Sequence, residues 1–135
     1  MEASLPRHHP PTASQQTLRK RIRYHYTGNA SGSTLRLTLG CLLAERLGIQ
    51  LRRVGSGRRL TFAAGEARLS AWMADHAFVT WVETDRPWLA EQQLIASVNL
   101  PLNLDQNRHH AFHQQLTKTR ANARMAARTL PIVST

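Results

Sequence analysis

The sequence predicts an α/β domain in which a small β-sheet is flanked by helices. Segments with an apolar side chain every three or four residues, typical of amphipathic helices, recur along the chain. Between them lie a hairpin pattern at 49–62 and a short, mostly apolar run at 77–82 that favours a strand. The 135 residues, 41% of them hydrophobic, are enough for one domain with a modest core.

The N-terminal region combines a polar arm with a basic helix. Residues 1–16 are rich in Pro, Ser and His and show no periodicity, so they predict a disordered arm. Thr17 is a good N-cap for a short helix at 17–26. On that helix Leu18 and Ile22 are predicted to face inward, which leaves the basic residues facing outward.

The middle of the chain alternates helices with strand patterns. A strongly apolar helix is predicted at 34–47, followed by a β-hairpin at 49–62 whose turn is GSG. A second helix is predicted at 65–76, and AFVTWV at 77–82 predicts a buried strand.

The C-terminal part predicts two further helices. Thr84 or Asp85 is expected to cap the first of them, with Pro87 in its first turn. An extended loop at 100–110 follows, and the last helix covers roughly 111–129.

One carboxylate, that of Glu91, lies where a helical wheel predicts an apolar side chain. Trp88, Leu94, Ile95 and Val98 form one stripe at 100° per residue, and Glu91 falls near its middle. A lone buried carboxylate is costly unless a cation, a metal ion or hydrogen-bond donors compensate it. Because one carboxylate can hold a Mg²⁺ that keeps water and phosphate ligands, Glu91 is a candidate metal ligand. The alternative is a position at the helix margin, paired with a surface arginine.

The charge of the chain is strongly unbalanced. Its 18 Lys+Arg and 8 Asp+Glu give a net charge of +10, and sixteen of the basic residues are arginine. This balance indicates a polyanionic partner, most simply nucleic acid. No apolar run is long enough to span a membrane, so we expect a soluble, cytoplasmic chain whose oligomeric state is open. The side chains predicted to contact nucleic acid are Arg19, Lys20, Arg23, Arg52, Arg53, Arg58, Arg59, Arg120, Arg124 and Arg128.

A second candidate site is the pair Arg21 and His25. They are four residues apart on the predicted basic helix and therefore share one face. An arginine beside a histidine suits phosphoryl chemistry, because the guanidinium steadies developing charge and the imidazole binds phosphate or relays a proton. The alternative is a solvated basic helix.

Several enzyme classes are disfavoured by missing residue patterns. The sequence contains no HExxH, no GxGxxG and no recognisable Ser-His-Asp arrangement. Cys41 is the only cysteine, which excludes an intramolecular disulfide framework and a cysteine-based zinc cluster. Its apolar neighbours predict a buried thiol.

Taken in order, these segments resemble the GIY-YIG endonuclease superfamily over about 17–116. TLRKRIRYHY looks like the helix that follows the family's YIG strand, and AFVTWVET is similar to its third strand. The resemblance implies that Arg21 is the catalytic arginine and that His25 is the residue one turn later. The family's pattern of glutamate, isoleucine, proline and asparagine is matched by Glu91, Ile95, Pro101 and Asn103.

This resemblance implies metal-dependent hydrolysis of DNA phosphodiester bonds. Arg21 would stabilise the transition state and His25 would assist proton or phosphate handling. Glu91 would hold one Mg²⁺ or Mn²⁺, and Asn103 would support the site. The alternative from a different class is a noncatalytic, basic nucleic-acid-binding protein, and a third is a nonfunctional gene fragment.

The chain departs from the family at its N-terminus, since it contains neither a GIY nor a YIG tripeptide. The two tyrosine-bearing strands should precede residue 17, so we expect an N-terminally truncated domain with weak or no nuclease activity. A misplaced start codon would explain the departure equally well. The expected organisation is a disordered arm at 1–16, a partial GIY-YIG-like nuclease domain at 17–108 with an extra hairpin, and a C-terminal basic helix and tail at 109–135.

Overall fold

The computed structural model describes residues 13–79, 84–102 and 108–134, and within them the chain is mostly helical with one small sheet. A 3-10 turn at Ala63–Gly65 precedes the fourth helix. The helices are α1 (Ala13–Thr27), α2 (Thr34–Leu42), α3 (Ala44–Leu47), α4 (Glu66–His76), α5 (Pro87–Ser97) and α6 (His113–Arg128), and the strands are β1 (Arg52–Val54) and β2 (Arg59–Thr61).

Helix α1 starts at Ala13 rather than at Thr17, so the predicted disordered arm at 1–16 was too long at its C-terminal end. Alanine and glutamine have good helix propensity, and the segment 13–16 contains both. The prediction followed the proline- and histidine-rich composition of the whole arm, which does not reveal the helix propensity of 13–16. The rest of the arm, 1–12, lies outside the described residues.

The predicted apolar helix at 34–47 is confirmed, with a break at Leu43 that divides it into α2 and α3. Ser33 caps α2, since its Oγ accepts a hydrogen bond from the backbone N–H of Arg36. Gly48 ends α3 in the left-handed region, at φ 64°, where glycine carries no steric penalty.

The predicted hairpin is confirmed as the antiparallel pair β1 and β2, with Arg53 opposite Leu60. The C-terminal segment adds to it, because Val133 forms a parallel bridge with Val54 and donates its N–H to the Arg53 carbonyl at 2.9 Å. The outer edge of the hairpin is thereby partly covered by the chain itself.

The core lies where α2 packs between α1 and α4 on one side and α6 on the other. Phe62, directly after β2, is buried in this core, and a Cβ atom at Gly40 of α2 would overlap its ring. Helix α6 confirms the predicted C-terminal helix. The core cluster contains Leu37, Cys41, Ile49, Leu51, Phe62, Leu69, Met73 and Ala127.

The buried strand predicted at 77–82 does not form over 77–79, and Thr80 to Val82 lie outside the described residues. Phe78 is 93% exposed, the opposite of the prediction. A strand needs hydrogen bonds from a neighbour, and no strand in the described ranges lies beside this segment. The apolar composition alone was therefore a misleading signal.

Helix α5 begins at Pro87, so the proline lies in its first turn as predicted, but the N-cap is Arg86 rather than Thr84 or Asp85. Thr84 Oγ1 instead accepts the Arg86 N–H at 3.0 Å in a local turn. Of the predicted loop at 100–110, the described parts form turns. Nowhere in the described ranges is there a helix with the length and apolarity to cross a membrane.

Candidate active site

Helix α1 presents Arg21 and His25 one turn apart, as the sequence predicted. Arg21 is exposed, whereas His25 is partly buried and lines a cavity of about 310 Å³ between α1, α2 and the end of α4. Burial lowers the pKa of His25 below its ordinary value, and the charges of Arg21 and Arg36 lower it further. The imidazole is therefore neutral near pH 7.

The orientation of His25 is set by the start of α2. Its Nδ1 lies 2.7 Å from Ser33 Oγ, across the turn that joins α1 to α2. Ser33 is itself buried, and the same oxygen accepts the Arg36 N–H at 3.1 Å. The imidazole is therefore anchored to a helix cap rather than left to rotate in solvent.

Arg36 connects the C-terminal end of α1 to α4 from a position that is 0% exposed. Its Nη1 donates to the carbonyl oxygens of His25 at 3.1 Å and Tyr26 at 2.9 Å. Its Nε and Nη2 donate to Glu66 Oε1 at 3.0 and 2.7 Å. Buried charges are tolerated when they are paired and hydrogen-bonded in this way.

Glu66 extends this network from the first turn of α4. Its Oε2 accepts the backbone N–H of Ala30 at 3.0 Å and that of Phe62 at 2.8 Å. One carboxylate thus ties the turn after α1 to the end of β2. We call this set, Ser33, Arg36 and Glu66, the support network of the site. None of these residues was predicted from the sequence.

A signal for this network was present in the sequence. Arg36 is a charged residue within the most apolar helical segment, TLRLTLGCLL, where burial without a partner would be costly. Ser33 stands directly before that segment, in the position of an N-cap.

Both tyrosines of the chain lie on α1 close to the site. The Tyr26 hydroxyl donates to the Ala77 carbonyl at 2.8 Å and so ties α1 to the end of α4. The Tyr24 ring lies over Gly28 and Gly32 of the following turn, where a Cβ atom would collide with it. Their positions are explained by packing.

Glu91 is exposed on α5, which contradicts the buried setting and agrees with the alternative of a position at the helix margin. Trp88, Leu94 and Val98 of the same stripe are exposed as well, while Ile95 is buried. Within α5 only Ile95 is buried, and Val98 lies beyond the last helical residue as the C-cap, in an extended conformation. In the described residues no ion pair joins Glu91 to an arginine or to His25.

In the described part of the chain, the carboxylates do not form a cluster of metal ligands. Within the described ranges no group of three His, Cys, Asp or Glu side chains could hold a metal ion. A single carboxylate such as that of Glu91 could hold only an ion that keeps most of its ligands as water and phosphate oxygens. Asn103, the predicted supporting residue, lies outside the described residues.

The ten basic residues predicted to contact nucleic acid divide into two groups. Six are exposed and able to reach a ligand: Arg19, Lys20 and Arg23 on α1, Arg58 and Arg59 at the hairpin turn and β2, and Arg128 at the end of α6. The other four are partly buried: Arg52, Arg53, Arg120 and Arg124.

The partly buried arginines of β1 make structural contacts. Arg52 Nη2 donates to the Pro131 carbonyl at 2.9 Å, and Arg53 Nη2 donates to the Leu130 carbonyl at 2.7 Å. These bonds hold the segment after α6 against the hairpin. A phosphate contact by either side chain would have to use the guanidinium N–H groups that these bonds leave free.

Arg120 and Arg124 lie near Cys41 at the packing surface between α6 and α2. Burial raises the pKa of the Cys41 thiol, and the two guanidinium charges oppose that effect. Burial also lowers the pKa of Arg120. The predicted buried thiol is confirmed. Arg120 and Arg124 are partly buried near it, whereas Arg128 is exposed at the end of α6.

Helix α1 carries His25 and four exposed cations, Arg19, Lys20, Arg21 and Arg23, in a domain of net charge +10, a distribution that favours anionic ligands. The family model described as the GIY-YIG catalytic domain matches residues 11–122, and the chain belongs to this family. Membership indicates a nuclease-like function in general, with DNA as the substrate or partner. No curated protein and no solved structure matches the chain.

Proposed function

We propose that this chain binds DNA and hydrolyses its phosphodiester bonds only weakly, in a reaction that needs Mg²⁺ or Mn²⁺. The observation that carries the proposal is the pair Arg21 and His25 on one face of α1, within the segment that matches the GIY-YIG catalytic domain. An exposed guanidinium next to a neutral imidazole can stabilise the charge on a phosphoryl group.

Each residue has one role in this scheme. Arg21 contacts the non-bridging oxygens and stabilises the charge that develops on them. His25 adds a contact to the same phosphate, and Asn103 supports the site. Glu91 would hold the divalent ion, which when bound neutralises phosphate charge and lowers the pKa of a water.

We expect weak activity because the chain lacks the tyrosine-bearing motifs of the family. The family's usual mechanism uses a tyrosine of the GIY and YIG strands to help activate water, and neither tripeptide occurs in this chain. Tyr26 uses its hydroxyl in a bond to a backbone carbonyl, and Tyr24 packs over a glycine turn. Neither position supports a substitute for the missing group.

Nicking of supercoiled plasmid tests the proposed hydrolysis. In Mg²⁺ we expect nicking close to the limit of detection, lost on Glu91→Ala and on Arg21→Gln. Arg46→Gln removes an exposed arginine of α3 outside the site and serves as the matched control, with no expected change. Robust Glu91-dependent nicking would contradict the weak activity, and nicking that persists in both site variants would exclude this site.

The second candidate, a noncatalytic nucleic-acid-binding protein, is favoured by the exposure of Arg19, Lys20 and Arg23 along α1. Phosphate contacts of this kind release counterions, so affinity falls steeply with salt and needs no metal. The discriminating measurement is duplex affinity against salt concentration, with and without Mg²⁺.

Under the nuclease proposal, Mg²⁺ strengthens binding in the wild type and acts only as added salt in Glu91→Ala. Under the alternative, Mg²⁺ acts only as added salt in both proteins. In either case Arg21→Gln should lower the slope of log affinity against log salt by about 0.9, the share of one phosphate contact.

A further inference from the structure

The hydroxyl of Ser33 has one proton and only one described acceptor for it. A serine hydroxyl donates one hydrogen bond and accepts up to two. Ser33 Oγ already accepts the Arg36 N–H at 3.1 Å, and Ser33 is 1% exposed, so solvent is not available to it. The remaining neighbour is His25 Nδ1 at 2.7 Å.

We propose that Ser33 is a positioning residue that holds His25 in the tautomer protonated at Nε2. The serine donates its hydroxyl proton to Nδ1, which must then be the unprotonated nitrogen of the ring. The reverse arrangement, in which Nδ1–H donates to Oγ, leaves the serine proton buried without an acceptor among the described residues. An unsatisfied buried donor costs about 1–3 kcal/mol.

The surroundings of His25 also disfavour the doubly protonated ring. A second proton on Nδ1 would displace the Ser33 hydroxyl proton, and the cations of Arg21 and Arg36 face the imidazole from α1 and α2. The ring is therefore neutral, with its free Nε2–H on the side away from Ser33.

The tautomer decides what His25 does in the proposed reaction. Its Nε2–H donates a hydrogen bond to a phosphate oxygen next to Arg21, and its only lone pair is occupied by Ser33. His25 is then a phosphate ligand and not the base that takes a proton from water. This assignment of role rests on the proposed function, whereas the tautomer itself does not.

Long-range ¹H–¹⁵N correlation on the full chain, labelled at histidine and held near pH 7.5, tests the tautomer directly. His25 is assigned by the signals lost in His25→Gln. We expect the protonated nitrogen of His25 to be Nε2, identified because it couples to both carbon-bound ring protons. Protonation at Nδ1 in the wild type would overturn the proposal, and this result does not depend on any Ser33 variant.

Two substitutions at Ser33 separate positioning from helix capping. Threonine keeps both the hydroxyl and the cap, so Ser33→Thr should retain the Nε2–H tautomer. Aspartate is an equally good N-cap but only accepts, so Ser33→Asp should move the proton to Nδ1. An unchanged Nε2–H tautomer in folded Ser33→Asp protein would contradict the role of Ser33, because a purely structural residue would give that result.

Failure of this proposal can be told apart from failure of the proposed function. An Nε2–H His25 in a chain that neither nicks nor binds plasmid would sustain the tautomer and overturn the nuclease assignment. An Nδ1–H His25 in a chain that nicks in Mg²⁺ would overturn the tautomer and leave the nuclease assignment standing.

Discussion

Arg36 is a buried cation on α2, and Glu91 is an exposed carboxylate on α5. A charge within an apolar helical pattern must be compensated if it is buried, and on this rule Glu91 was the predicted site. The structure leaves Glu91 exposed and instead buries Arg36, which lies in a more apolar helix. The rule identifies a charge that would be costly if buried, but burial depends on what packs over the helix.

The buried ion pair gives a prediction at the residue scale. Arg36→Met removes the cation and leaves the Glu66 carboxylate with two backbone donors, so we expect a loss of about 3–5 kcal/mol in the free energy of unfolding. Urea unfolding measures it. The exposed control Arg46→Gln should change the same quantity by less than about 0.5 kcal/mol. A loss below about 1 kcal/mol for Arg36→Met would show that the pair contributes little.

Helices were predicted well because their signal is local. The period of 3.6 residues located α2, α4, α5 and α6, and the glycine turn located the hairpin. The predicted strand at 77–82 failed over 77–79, because a strand needs a partner whose position is not encoded in its own residues. The early start of α1 and the break at Leu43 are boundary effects of the kind that flanking context decides.

At the element scale, Gly40 tests how α2 is packed. Replacing a helical glycine by alanine normally stabilises a helix by about 1 kcal/mol. At this position the new methyl group would overlap the Phe62 ring, so we expect Gly40→Ala to destabilise the protein by about 1–3 kcal/mol. Thermal unfolding gives the sign. The double variant with Phe62→Leu should recover part of the loss, and a stabilising Gly40→Ala would show that the ring moves away easily.

Across the whole molecule, some basic side chains are exposed and others make internal contacts, and composition does not distinguish the two. A net charge of +10 predicted an anionic partner, and arginines of α1 and the hairpin are exposed. Others are used internally: Arg36 joins α1, α2 and α4, while Arg52 and Arg53 hold the C-terminal segment. The candidate site is therefore supported by the same residue type that would bind the ligand.

The pH dependence of global stability follows from His25. Its pKa in the folded protein lies below the ordinary value of 6.5, so the unfolded chain binds more protons as the pH falls. The stabilising contribution is present above pH 6.5 and is lost as the pH drops through the folded pKa. Urea unfolding between pH 7.5 and 5 should therefore show a smaller pH dependence in His25→Gln than in the wild type. Equal slopes would show that His25 is not the group responsible.

Composition and residues close in the chain were enough to predict the helices and the hairpin, the excess of basic charge, and the proximity of Arg21 and His25 on one helix. The family resemblance came from the order and spacing of the segments along the chain. Tertiary contacts establish which charges are buried, that Ser33 and Glu66 support the histidine helix, and that Glu91 is exposed. Those outcomes depend on contacts such as Arg36 with Glu66, 30 residues apart in sequence, which no local pattern specifies.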